Sequence, residues 1–464
     1  MRTVVQKWFG DVTHCATLLV VLAVLKGVLF VGLVSFGVTK PFAGTNANEI
    51  VFPIAERIIK EHRFNGADSR PDSKMAPAYP FLIAALEAVK MPAIPVVVVL
   101  LQMMADAVTS LCLLYLGLLL CNVIAGGIAG LVWSLYPPAV IISTWIAQEP
   151  IFTALLMGSL VLVIASLSES KPTARLSLAA GVLMGLATLF RATPLLIPAA
   201  LLPAWIAKRK FFDALVFVAG LLILVIPWTI RNLVVLQDRI PVATGTGSVF
   251  LLGSDDDQVH STEKKTPFFA EAVAEGARNG ILKPNPEYES AIDRWLFRLG
   301  LMRYRQRLER RPLSFLKLLG LKSLRLWYAT DTARLPAQVA LGLFSLPVVP
   351  LGLWRVWRWR KTNRVFFLVV GGVLVYFIGM HIVLLPLERY VIPIYPLLIL
   401  ASSQWLCGPL SLSLSRESRP GRSTPTLAEG AGFADEHRRL IRFGGLPAHG
   451  MLHEITHRKN RLPA

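Results

Sequence analysis

The sequence predicts an all-α polytopic membrane protein, with about ten transmembrane helices and two long outer loops containing interfacial helices. Three observations lead there. Of 464 residues, 54% are hydrophobic and 17% charged, whereas a soluble domain carries roughly a quarter of its residues as Asp, Glu, Lys and Arg. Apolar runs long enough to cross a bilayer recur from residue 15 to residue 407. The Lys and Arg residues of the short turns alternate with these runs and fall on one side.

The first run, from about residue 16 to 38, follows a short basic lead (Arg2, Lys7) and lacks a cleavage-like exit, so it reads as a retained helix rather than a signal peptide. Further spans are expected at about 94–120, 123–142, 150–168, 176–191, 194–208, 212–230, 336–354, 365–385 and 391–407. With the N-terminus cytoplasmic, the turns holding Lys171 and Arg175, Lys208 to Lys210, and Arg355 to Arg364 share that side. An even span count follows, with both termini cytoplasmic and residues 39–93 and 231–335 outside. The formal charge of +19 then reflects orientation and affinity for anionic head groups, and no nucleic-acid partner is expected.

Each outer loop carries its own pattern. In the first, Ile50, Ile54 and Ile58 mark a helical face beside Glu49, and a short apolar helix after the Pro-bracketed Lys74–Pro80 turn ends near Val89. In the second, RYRQRLERRPLSFLKLLGLKSLRLW alternates basic and apolar residues at helical spacing. It suits either an interfacial helix with its cations toward lipid phosphate or a solvated face. From Gly408 to Ala464 the chain turns rich in Ser, Arg, Gly and Pro, the composition of a disordered basic tail. The body is therefore residues 1–407 and the tail 408–464.

Candidate chemistry is sought where polar groups meet the outer surface. A carboxylate at the lip of a membrane cavity gains proton affinity and can act as a base, which suits Glu49; Glu149, before Pro150, is a second such carboxylate, although both also fit a helix N-terminus. Arg231 and Arg389, with Tyr390 beside the latter, emerge at outer helix ends, where a cation requires an anionic partner. Phosphate is a natural one for a guanidinium fork, and an intramolecular pair with Glu388 is the alternative. Asp68 and Asp72 are fallback carboxylates, and Tyr79 stands in the rigid turn. Asp255, Asp256 and Asp257 with His260 could hold a divalent cation, but a hydrophilic turn is favoured, and no cofactor is otherwise implied. Gly245-Thr246-Gly247 lacks a phosphate loop's Lys, and the four cysteines show no paired spacing. In the tail, His453, Glu454 and His457 match HExxH without the helical context of a zinc protease.

The stretches NEIVFPIA, APAYP, SLYPPAVI, GVLMGLATLFR, IPWTIRN and LERYVIPIYP occur in this order over most of residues 15 to 407. Together they resemble bacterial GT-C glycosyltransferases, relatives of protein O-mannosyltransferases and the aminoarabinose transferase. The resemblance implies a transferase of the inner membrane that takes a sugar from a polyprenyl-phosphate carrier to a protein, lipid or glycan acceptor at the outer face, with inversion. It also implies a first-loop acidic residue as catalyst, often in an Asp-containing motif. Here Asn46 and Asn48 stand where an Asp is expected, leaving Glu49 as the nearest carboxylate. A secondary transporter, which would show repeated halves and broken helices, and an inactive scaffold of the same fold are the competing readings.

Overall fold

The computed structural model describes residues 11–44, 47–66, 68–120, 122–255, 265–282, 289–330 and 335–404. The chain divides into Met1–Gly408 and Pro409–Ala464. The tail and its HExxH motif lie outside the described residues, as do Asn46, Asp256, Asp257 and His260. Among the described residues the regular elements are helices, besides the isolated bridges Phe42/Trp145 and Asn65/Pro71.

Among the described residues six helices are long and apolar enough to cross a membrane: α1 (Val12–Ser35), α4 (Ile94–Leu120), α7 (Glu149–Ser168), α10 (Phe211–Leu236), α15 (Leu335–Thr362) and α16 (Arg364–Val383). A seventh span is a broken one, in which α5 (Val123–Leu135) and α6 (Pro137–Ser143) meet at 54°. The break has a covalent cause: Pro137 and Pro138 supply no N–H to the preceding turn, and Tyr136 before them is held extended. The shorter apolar helices α8 (Ala174–Phe190), α9 (Ile197–Lys208) and α17 (Ile392–Gln404) occupy the remaining stretches where spans are expected. The outward residues of the long spans include large apolar ones, such as Val28 and Leu29 on α1 and Leu215 and Val234 on α10, as a surface facing hydrocarbon requires.

The body is held by small residues where helices touch. A Cβ on Gly117 of α4 would stand 2.2 Å from the Gly126 Cα of α5, and one on Gly181 of α8 would stand 2.0 Å from the Phe217 carbonyl of α10. Gly185, one helical turn on, faces the Leu221 carbonyl in the same way. The G-x-x-x-G of GVLMGLATLFR is thus the seat of α8 on α10, where backbones approach as lipid-embedded helices do.

The first loop contains a short π-turn (Ala47–Val51), α2 (Phe52–Glu61) and α3 (Ala78–Ala88), with Ile54, Ala55, Tyr79 and Ile83 inward. The second contains α11 (Thr246–Gly253), α12 (Lys265–Arg278), α13 (Glu289–Arg310) and α14 (Pro312–Arg325). The basic-apolar segment is two helices broken at Pro312, and on α14 its polarity is partly inverted. Lys322 and Arg325 are buried while Leu313, Leu316 and Leu324 are exposed.

Candidate functional site

The loop between the broken span and α7 is shaped by Gln102 of α4. Its amide nitrogen donates to the carbonyls of Ser143 (3.0 Å) and Trp145 (2.5 Å), and its oxygen accepts from the Ala147 N–H (3.2 Å) and from the Tyr79 hydroxyl (2.8 Å). The start of the first loop joins the same turn. Phe42 N donates to the Thr144 carbonyl, Ile146 N donates to the Phe42 carbonyl, and the Phe42 and Trp145 rings lie 5.1 Å apart. The loop carrying Glu49 and the loop carrying Glu149 are therefore stitched together. Tyr79 lies within electrostatic reach of Glu149.

Glu149 opens α7 with Pro150 behind it and is buried. Its Oε1 lies 3.5 Å from Nη1 of Arg191, whose side chain is 12% exposed. Arg191 is delivered by the glycine seat: α8 ends at Phe190, Arg191 turns extended with its N–H on the Ala187 carbonyl, and Pro194 follows. The Arg191 guanidinium lies 4.9 Å from the centroid of the Tyr390 ring and 6.0 Å from that of Phe152. Arg389 lies 5.1 Å from the same Tyr390 ring, and its Nη2 is 3.3 Å from the phenol oxygen. Tyr390 also stacks on His381 at 5.4 Å, and His381 on Phe377 at 6.1 Å. The His381 Nδ1 is fixed 2.8 Å from the Phe377 carbonyl. Two guanidiniums thus share one phenol ring, and a carboxylate faces one of them.

Glu388, beside this pair in sequence, sits in a short 3-10 turn with its backbone N–H on the Ala329 carbonyl. Burial pushes its carboxyl up to about 8, and its Oε1 has no hydrogen-bond partner among the described residues. The alternative reading, a pair with a neighbouring Arg, is not formed among the described residues; the carboxyl faces Tyr136 and Tyr395 instead.

Arg231 has a different setting. Nη2 donates to the Phe64 carbonyl (2.8 Å) and Nη1 to the Asp72 carbonyl (3.0 Å), and the guanidinium lies 4.8 Å from the Trp228 ring and 5.4 Å from the Phe64 ring. Asn232 donates to the Ile240 and Val242 carbonyls, and Trp228 Nε1 to Val242 as well. IPWTIRN is therefore a clamp that closes the Phe64–Asp72 turn of the first loop over the start of the second. Asp72 receives the Lys74 and Met75 N–H groups; burial holds its carboxyl above its ordinary range against those bonds and the charges of Lys74 and Arg231. Asp68 is exposed and caps its own turn, accepting the Arg70 N–H, with the Arg70 guanidinium 3.9 Å from its other oxygen.

Glu49 is exposed and makes no ion pair or side-chain hydrogen bond among the described residues. Gly247 belongs to the first turn of α11, whose N–H groups are taken by Asp293 (2.8 Å from Gly247 N), so an internal carboxylate fills the place a phosphate would need. Asp255 lies 3.8 Å from Arg303. No group of three or more His, Cys, Asp or Glu side chains able to hold a metal occurs among the described residues. Of the sequence candidates, the structure brings Glu149, Arg389 and Tyr390 to Arg191, with Tyr79 beside Phe190 and within reach of Glu149; Glu49 is tied to them through the backbone of its loop, and Arg231 belongs to the clamp. Sequence reasoning did not single out Arg191, although it is the last residue of GVLMGLATLFR and the one charge between two apolar runs.

No protein-family model matches this chain, and a search of curated proteins finds no match. Among solved structures it is similar to the oligosaccharyltransferase AglB of Archaeoglobus fulgidus, in complex with an inhibitory peptide and a dolichol-phosphate (13% identity, TM-score 0.44, 80% of this chain). It is similar also to ArnT of Cupriavidus metallidurans bound to undecaprenyl phosphate (12%, 0.39, 87% of this chain and 81% of that one) and to ArnT in the apo state (13%, 0.38, 88% and 81%). The chain spans 46% of the length of the oligosaccharyltransferase.

Proposed function

We propose that the protein is an inner-membrane glycosyltransferase that moves a sugar from a polyprenyl-phosphate donor to an acceptor at the outer face, with both termini cytoplasmic. The observation that carries this reading is the pair Arg191 and Arg389 drawn to one ring, Tyr390, with Glu149 3.5 Å from Arg191. Two like charges at that range repel in a water-poor site, and an anion between them relieves the repulsion. A lipid phosphate suits it, since its charge grows as the anomeric C–O bond breaks and the electron pair passes to the phosphate oxygen. The order of the six sequence stretches supports the same chemistry.

In this mechanism the acceptor's hydroxyl oxygen attacks the anomeric carbon opposite the leaving phosphate, inverting configuration, and its proton passes to a carboxylate. Glu149 is committed to Arg191 and orients it. Glu49, without a partner and on the loop stitched to Glu149's, is the proton acceptor we propose; Tyr79 lines the same region. Arg231 takes a supporting part, holding the first loop in place.

The test is sugar transfer from radiolabelled polyprenyl-phosphate donor in membranes carrying each variant. Removing a preformed donor to developing charge costs roughly 100-fold or more, so Arg191→Ala and Arg389→Ala should each lose at least that, and Glu49→Gln should fall comparably. Transfer at the wild-type rate in both arginine variants would overturn the assignment. One observation favours a secondary transporter instead: the broken span surrounds a buried polar group, where Asp106 of α4 accepts from the Ser143 hydroxyl and Lys26 of α1 donates to the Ser134 carbonyl. Uptake into vesicles abolished by Asp106→Asn, with no transfer activity, would select it.

A further inference from the structure

The end of the helical body remote from Tyr390 contains a cavity of its own. α9 and α16 lie side by side, joined at one end by the Tyr376 hydroxyl, which donates to the Thr193 carbonyl at 2.5 Å. At mid-length they approach so closely that a Cβ on Gly372 would stand 2.4 Å from the Ala200 carbonyl. Pro203 follows within α9, where it lacks the N–H that would bond the Ala199 carbonyl and loosens the helix. Beyond it a cavity of about 500 Å³ opens between the two helices. Its walls are apolar, with Ala204, Ala207 and Leu368, and its mouth is polar and cationic, with Lys208, Asn363 and Arg364. α16 is 20 residues long, so this mouth and the His381–Tyr390 stack are separated by about 30 Å along that helix.

The lining defines its ligand. Two cations stand at the mouth and the lining contains no acid, and neither Lys208 nor Arg364 makes an ion pair among the described residues. Asn363 caps α16 by accepting the Phe366 N–H, so the positive end of that helix faces the same opening. A free inorganic anion would satisfy the mouth but leave the walls empty. An amphiphile with an anionic phosphate head and an acyl chain satisfies both, and the size lies within the range of built ligand pockets. We propose that this cavity is a binding site for an anionic phospholipid, with its phosphate held by Lys208 and Arg364 and an acyl chain along Ala204, Ala207 and Leu368. The site is separate from the candidate transferase centre and does not depend on that reading.

The test is lipid retention by the full-length protein, reconstituted in nanodiscs of phosphatidylcholine with a minor fraction of phosphatidylglycerol, released into detergent and read by native mass spectrometry. The wild type should retain phosphatidylglycerol over phosphatidylcholine, and Lys208→Gln/Arg364→Gln should weaken that retention about tenfold or more. Leu368→Trp, which fills the cavity and leaves both charges, should abolish it. Arg209→Gln/Lys361→Gln removes the same charge from neighbours outside the lining and should behave as wild type. Retention unchanged in the first two variants overturns the proposal; so does an equal loss in the third, since the effect would then be bulk attraction. Displacement of the lipid by millimolar inorganic phosphate as readily as by excess phosphatidylglycerol would make it a site for free phosphate and overturn it too. If the double variant fails to fold, Leu368→Trp decides.

Discussion

Glu388 carries a carboxyl that burial has raised from 4.5 to about 8, and its protonation links stability to pH. The native state binds that proton more tightly than the unfolded chain does. The favourable contribution is therefore complete below the unfolded value and is lost as pH rises through about 8. Glu388→Gln cannot ionise, so its stability in detergent should gain on the wild type between pH 6 and pH 9, by an amount on the order of a few kcal/mol, read as a rising difference in thermal midpoint; parallel curves would refute it. The sequence shows why such residues are hard to rank. Glu388, Arg389 and Tyr390 are adjacent, yet one faces a buried tyrosine pair and the other two face Arg191. A 3-10 turn separates them, and local spacing does not reveal a turn of that kind. Arg231 and Arg389 look equivalent in sequence, both ending apolar runs; only the distant carbonyls of Phe64 and Asp72 distinguish them.

Among elements, the apolar runs are legible because hydrocarbon thickness sets a length that composition alone reveals; of the ten stretches named from sequence, seven hold helices long enough to cross, counting the broken pair, and three hold shorter apolar helices. Their packing was legible only as a pattern, GVLMGLATLFR, without the partner it seats on. That seat makes a direct prediction. In Gly181→Val the new side chain would meet the Phe217 backbone, with the Cβ at 2.0 Å, and overpacking of this sort costs about 1–3 kcal/mol or more. The variant should lose thermal stability in detergent. Gly32→Ala, at a glycine with nothing within 4 Å, should not, and equal losses in the two would contradict the glycine-seat reading. α14 taught the opposite lesson. Its basic-apolar alternation reads as a lipid-facing or a solvated row of cations, whereas Tyr304 and two carbonyls far away in sequence draw Lys322 inward.

For the molecule as a whole, the two long loops are not independent appendages. Thr244 N donates to the Ser73 carbonyl at 2.7 Å, Lys74 pairs with Glu289 at 3.2 Å, and the Arg231 clamp closes the same seam. On the other side of the second loop, Lys322 Nζ lies 2.9 Å from the Gly253 carbonyl, 3.0 Å from the Val383 carbonyl and 2.7 Å from the Tyr304 oxygen. Those carbonyls end α11 and α16, where a helix end favours a cation. Lys322→Met should cost about 1.5–3 kcal/mol for its lost charged hydrogen bonds, and hydrogen exchange should rise together in α11, α14 and the end of α16; protection lost in α14 alone would show that the ammonium joins nothing. The wider consequence concerns motion. With a buried ammonium riveting α11, α14 and the last turn of α16, a bend at Val383 must first break its bonds, so the start of the segment leading to Tyr390 is anchored to those two helices.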